Sequence, residues 1–73
     1  MKFELSITIS GFETRIEEDI YEFIETMCDP YTIAVMYSSD GSGPLSSFTI
    51  HTNNEDGATL FKVLFEGSSV KMN

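Results

Sequence analysis

The sequence predicts an α+β fold in which four strands and two helices follow one another in the order β-α-β-β-α-β. Two observations lead to this prediction. Residues 2–10, 31–38 and 46–52 alternate between apolar and polar side chains, which is typical of strands with one buried face. Residues 12–27 and 58–66 instead carry apolar side chains at helical spacing.

The first strand and the first helix have the most regular patterns. In the first strand the residues expected to point into the core are Phe3, Leu5, Ile7 and Ile9. In the first helix one apolar stripe is formed by Ile16, Ile20, Phe23, Ile24 and Met27. Two capping boxes, at residues 10–13 and 14–17, allow this helix to begin near residue 11 or near residue 15. The Asp29-Pro30 pair is expected to end it.

The second half of the chain predicts a hairpin, a shorter helix and a last strand. Residues 38–44 are rich in turn formers and indicate a flexible hairpin tip. Asn53 and Asn54 are suitable N-caps, and Gly67 is placed to end the second helix. The core-facing side of that helix is expected to comprise Leu60, Phe61, Leu64 and Phe65. The last strand follows in residues 68–73, with Val70 and Met72 pointing inward.

This order of elements within 73 residues is the ferredoxin-like, or split βαβ, arrangement. It predicts a four-stranded antiparallel sheet with two helices on one face, and residues 1–73 as a single small α+β domain. A core in a chain of this size supplies only about 3–5 kcal/mol of stability. Self-association would add to that stability, so the sequence is also compatible with a homodimer.

Charge and cysteine content restrict the partners. Twelve acidic residues against four Lys and Arg give a formal net charge of −8. Such a charge repels nucleic acid and anionic membranes and attracts a basic surface of another protein. We therefore expect no direct nucleic acid binding and no membrane association. The lone Cys28, with no signal-peptide or membrane-span pattern, favours a reducing, cytoplasmic location.

The residue types argue against an enzyme, a cofactor and a metal site. His51 is the only histidine, and no buried acid is placed to complete a triad with it and Ser47 or Ser69. Metal carriers with this element order need two cysteines after the first strand, where residues 11–14 read GFET. The acidic residues lie along a helix rather than in a glycine-centred calcium loop.

The open side of the predicted sheet supports an alternative function. It is rich in Ser and Thr and lacks the stacking aromatics and basic flanks of RNA-binding sheets. A homo-oligomeric regulatory or small-ligand-binding domain could use this side. That alternative predicts a dimer and a functional dependence on Thr8, Thr49 and His51.

The acidic side of the first helix is the leading candidate for function. Six of the twelve acidic residues lie in residues 12–27. On a helical wheel Glu18, Glu22 and Glu25 point away from the core. Like charges three and four residues apart are mildly unfavourable in a helix, and an exposed tyrosine among them would suit an interface hot spot. The predicted partner-binding residues are Glu17, Glu18, Asp19, Tyr21, Glu22 and Glu25.

A row of carboxylates on a small rigid body can imitate a phosphate backbone and occupy a groove for DNA or RNA. In size and charge the chain is similar to phage-encoded inhibitors of bacterial defence systems. The hypothesis from sequence is therefore a non-catalytic protein-binding module, acting as a nucleic acid mimic on a basic nucleic-acid-binding protein.

Overall fold

The structure, a computed structural model, describes residues 1–73 and contains the predicted order of elements. The strands are β1 (Phe3–Ser10), β2 (Tyr31–Asp40), β3 (Gly43–Thr52) and β4 (Ser69–Met72), and the helices are α1 (Thr14–Met27) and α2 (Glu55–Leu64). All neighbouring strands are antiparallel, in the order β2-β3-β1-β4. This is the α+β, ferredoxin-like fold, and the predicted fold class is confirmed.

The core lies between one face of the sheet and the two helices. Leu5 of β1 lies opposite Ile50 of β3 and Val70 of β4, so the strands present one apolar surface. Ile20 of α1 and Phe61 of α2 are fully buried against it. Burying side chains of this size contributes about 1.5–3 kcal/mol each. Side chains from both helices therefore join a single hydrophobic cluster on one side of the sheet.

The beginning of α1 differs from both capping boxes. Glu13 occupies the N-cap position without a side-chain hydrogen bond, and Thr14 is already helical. The Ser10 hydroxyl accepts a hydrogen bond from the Phe12 amide at 3.3 Å, and the Ser10 carbonyl accepts one from the Glu13 amide at 3.0 Å. The Ser10 oxygens therefore stabilise a turn before the helix rather than capping it.

The hairpin tip is much shorter than predicted. Strands β2 and β3 pair residue for residue as far as Asp40 and Gly43, so only Gly41 and Ser42 lie between them. The Asp40 carboxylate accepts hydrogen bonds from the Ser42 amide at 2.8 Å and the Ser42 hydroxyl at 2.6 Å. Strand pairing thus continues through most of residues 38–44, so the predicted extent of the hairpin tip was wrong.

The second helix begins as predicted but is rotated relative to the predicted core face. The Asn54 side chain accepts a hydrogen bond from the Gly57 amide at 2.9 Å, which confirms an N-cap at this position. Phe61 is buried and Phe65 half-buried, whereas Leu60 and Leu64 are exposed. The prediction for both leucines was wrong, because the small buried face that approaches α1 begins at Gly57 and Ala58. After the helix, Gly67 adopts a φ of +82°, which favours glycine.

A buried polar joint connects α1, β3 and α2. The fully buried Thr52 hydroxyl donates to the Cys28 carbonyl at 2.7 Å and accepts from the Asn54 amide at 3.0 Å. A Cβ added at Gly57 would collide with the Met27 carbonyl oxygen. The end of α1 and the start of α2 are therefore held in contact where β3 ends.

Candidate functional site: the acidic side of the first helix

The core contacts of α1 determine which of its side chains face outward. Ile20 and Ile24 are fully buried, so the opposite side of the helix lies away from the sheet. The outward acidic residues are Glu18, Asp19, Glu22 and Glu25, and all four are exposed. We call these four residues, with the half-buried Glu17, the acidic face.

Tyr21 lies at the edge of the acidic face and turns toward the sheet. Its ring meets that of Phe48 in β3 edge to face, with centroids 5.9 Å apart and an interplanar angle of 83°. The side chain is half-buried and packs against the core cluster. The prediction of an exposed Tyr21 among the carboxylates was wrong. Tyr21 lies on the flank of the helix, and from there its long side chain reaches the sheet.

The surroundings of Tyr21 stabilise its neutral form. Burial raises the pKa of the Tyr21 phenol, and Tyr37, Glu17 and Tyr31 raise this pKa further. These neighbours show that this flank of α1 lies above β2 and β3. Glu17 therefore forms the border of the acidic face on the side of β2.

The opposite flank of α1 borders a shallow hollow toward the end of α2. Asp19 and Glu22 lie at its edge, above the aromatic rings of Phe23 and Phe65. Those two rings pack against each other, with their centroids 5.6 Å apart. The acidic face thus combines carboxylates with a small apolar surface, a combination that suits long basic side chains with aliphatic stems.

The negative charge of the acidic face is not neutralised within the protein. The only pair of a basic and an acidic side chain in contact is His51 with Glu4, on the open side of the sheet. Arg15, the only cationic side chain on α1, makes no such pair. No lysine or arginine occurs between Ile16 and Phe61. The helix α1 therefore carries five acidic side chains against the single Arg15, and none of them has a cationic partner.

The structure exposes two aromatic residues that the sequence reasoning did not select. Phe12 before α1 is 76% exposed, and Tyr37 near the end of β2 is 71% exposed. Tyr37 belongs to the inward set of β2, since it lies opposite the buried Ser46. It is exposed because the helix layer does not extend over this part of the edge strand. The alternation in residues 31–38 could not identify Tyr37 as exposed, because it does not show which strand lies at the edge of the sheet.

The open side of the sheet has an internal polar network. Four residues form one row across all strands: Thr32, His51, Glu4 and Lys71. His51 Nε2 lies 3.0 Å from Glu4 Oε1. Further along the same side of β1 and β3, Thr8 lies opposite Ser47, and their hydroxyl oxygens are 3.0 Å apart. Thr8 and His51, two residues of the alternative function, are therefore engaged with neighbouring strands.

No set of three or more His, Cys, Asp and Glu side chains is arranged to hold a metal ion. Cys28 is fully buried, and burial raises the pKa of its thiol. The hollows along α1 and beside α2 are open at the surface. No helix is both long and apolar enough to cross a membrane.

The fold and the acidic face define a small α+β protein with an unneutralised helix surface. Comparison with known proteins adds no relative: no protein-family model, no curated protein and no solved structure matches the chain.

Proposed function

We propose that the chain is a non-catalytic binding module whose acidic face docks on a basic surface of another protein. One observation carries the proposal: the carboxylates of α1 lie together at the surface without a cationic partner. Keeping like charges together on one helix is mildly unfavourable for folding. A basic partner would relieve this repulsion on binding. Complementary charge mainly makes the association faster and more selective.

The spacing of the carboxylates supports mimicry of a nucleic acid backbone. With a rise of about 1.5 Å per residue, Glu18 and Glu22 are about 6 Å apart along the helix axis, and Glu22 and Glu25 about 4.5 Å apart. Phosphates of one DNA strand are spaced about 3.4 Å along the duplex axis. The two rows of charge are similar in scale, so a groove that binds phosphates can accept α1. We infer an inhibitor of the phage type, acting in the cytoplasm on a basic nucleic-acid-binding protein of a host defence system.

Charge reversal on α1 tests the proposal. The test variant carries Glu18→Lys, Glu22→Lys and Glu25→Lys. The matched control reverses three exposed acids on or beside α2 and has the same net charge: Glu55→Lys, Asp56→Lys and Glu66→Lys. Circular dichroism and thermal unfolding establish that both variants fold.

Each protein is immobilised and exposed to nuclease-treated bacterial lysate. We expect the wild type and the α2 control to retain the same basic protein, and the α1 variant to bind it at least about tenfold more weakly. Added duplex DNA should displace that protein, and moderate salt should weaken its retention. Equal retention by both triple variants would refute the proposal. A salt-insensitive homodimer in sedimentation would favour the alternative use of the open sheet side.

A further inference from the structure

The two edges of the sheet are built differently. Strand β4 has only four residues and contains Lys71, both common protections of an edge against further pairing. Strand β2 has ten residues and pairs with β3 alone, without a bulge from Tyr31 to Asp40. It contains no proline and no charged residue before Asp40. The free edge of β2 therefore presents unpaired backbone N–H and C=O groups along a regular strand of ten residues.

The helix layer also leaves the inward side of β2 incompletely covered. Tyr31, Ile33 and Val35 are half-buried, and Tyr37 is largely exposed. In contrast, the inward residues Phe48 and Ile50 of the neighbouring β3 are buried almost completely. A strand added beside β2 would supply the next row of side chains over this partly exposed apolar strip.

The charges around this edge indicate the occupant. Asp29 precedes β2, Asp40 ends it, and Glu17 lies on the flank of α1 nearest to it. No lysine or arginine occurs in this part of the chain. A second copy would bring the same acids and another net charge of −8 against them, which is unfavourable. An extended segment with cationic side chains would complement them.

We propose that the free edge of β2 binds an extended, lysine- or arginine-bearing segment of the partner protein as a fifth strand. The inference rests on the proposed function for the charge of that partner. Backbone hydrogen bonds along β2 supply affinity. Every second side chain of the bound segment contacts the partly exposed apolar strip of β2, as in other cases of strand addition. The acidic face and the β2 edge are then two parts of one docking surface.

The probe is a ten-residue synthetic peptide that alternates valine and lysine, used at concentrations where it is monomeric. Its control has proline in place of valine and the same charge, but it cannot pair as a strand. Amide hydrogen exchange locates binding on the wild-type protein. We expect alternate amides of β2 to exchange at least about tenfold more slowly with the valine peptide. The amides of β4 should not change, and the proline peptide should protect neither edge.

Two single variants test the edge directly. Adjacent residues of an edge strand direct their N–H groups alternately to the partner strand and to solvent. Of Ala34→Pro and Val35→Pro, one therefore removes a free-edge donor and is tolerated, and thermal unfolding identifies it. That variant should bind the valine peptide at least about tenfold more weakly than the wild type.

The possible results separate this inference from the proposed function. Protection of β2 by the valine peptide that persists in the Glu18, Glu22 and Glu25 reversal supports the edge, even if the lysate partner is lost or unaffected. The inference would be overturned if both peptides bound equally well, or if the valine peptide bound without protecting β2. It would also be overturned if the β2 edges were already paired with each other in a homodimer. Loss of the lysate partner only in the α1 reversal, with no effect of the tolerated proline, would leave the proposed function standing without the edge.

Discussion

Tyr21 and Phe48 meet edge to face across the boundary between α1 and the sheet, with ring centroids 5.9 Å apart. This contact anchors the flank of the acidic face that borders β2. A helical wheel assigns the Tyr21 side chain to the surface, but in the structure this aromatic ring packs against the sheet. Tyr21 therefore contributes to the position of the carboxylates rather than standing among them as an exposed contact.

Truncation of this contact should destabilise the protein. We expect Tyr21→Ala to lower the free energy of unfolding by about 1–3 kcal/mol, less than for a fully buried aromatic residue because Tyr21 is only half-buried. Tyr21→Phe should change it by less than about 1 kcal/mol, since none of the side-chain hydrogen bonds of the protein involves the Tyr21 hydroxyl. Chemical denaturation of both variants measures the difference. Equal losses in the two variants would contradict a packing role for the ring.

Tyr21 should also make the stability depend on alkaline pH. Its pKa in the folded protein is raised above the usual value of 10.0 by burial and by Tyr37, Glu17 and Tyr31. The stabilisation of the neutral phenol is complete below pH 10 and is lost as the pH rises through the folded pKa. Above pH 10 the wild type should therefore lose stability relative to Tyr21→Phe. Denaturation of the two proteins at a series of pH values tests this, and parallel curves would contradict it.

The partial success of the sequence predictions has a physical cause. Alternation in β1 identified its inward residues, because a half-buried strand has only two sides to choose between. Helical spacing identified the apolar stripe around Ile20, but it did not show how each helix is rotated about its own axis relative to the sheet. For this reason Tyr21 and Leu64 were placed on the wrong side of the boundary with solvent.

The hairpin shows the other limit of local signals. Turn-forming residues in 38–44 predicted a long tip, yet pairing of β2 with β3 extends to Asp40 and Gly43. Turn propensity is a local preference, whereas each added strand pair also gains backbone hydrogen bonds. The long bare edge of β2 follows from that pairing, so it was not visible in the sequence pattern. The outward carboxylates of α1 were predicted correctly as exposed, because charged side chains leave few alternatives.

The Thr52 hydroxyl should contribute more to stability than its position in a strand indicates. It donates to the Cys28 carbonyl and accepts from the Asn54 amide. Thr52→Val keeps the shape but leaves both groups without this partner, which should cost about 1–3 kcal/mol. Thr49→Val makes the same chemical change on the open side of β3 and should stay within about 0.5 kcal/mol of the wild type. Similar effects of the two changes in thermal unfolding would show that the buried joint adds nothing specific.

The thiol of Cys28 should be nearly unreactive in the folded protein. It is fully buried, and burial raises its pKa above the ordinary value of 9.0, so little thiolate is present near neutral pH. We expect alkylation by iodoacetamide at least about tenfold slower than in denaturant. Mass spectrometry during the reaction follows the modified fraction. Equal rates in native buffer and in denaturant would show that the end of α1 opens readily.

Gly57 should resist even the smallest substitution. Alanine favours a helix over glycine by about 1 kcal/mol, so propensity alone predicts that Gly57→Ala stabilises α2. The added methyl group would instead collide with the Met27 carbonyl and lie 3.0 Å from the Cys28 sulfur. Because backbone must move to relieve this contact, we expect a net loss of about 1–3 kcal/mol. Gly41→Ala adds the same methyl group where nothing lies within 4 Å and should have little effect on unfolding. A Gly57→Ala protein as stable as Gly41→Ala would show that α1 and α2 can separate at this point without loss.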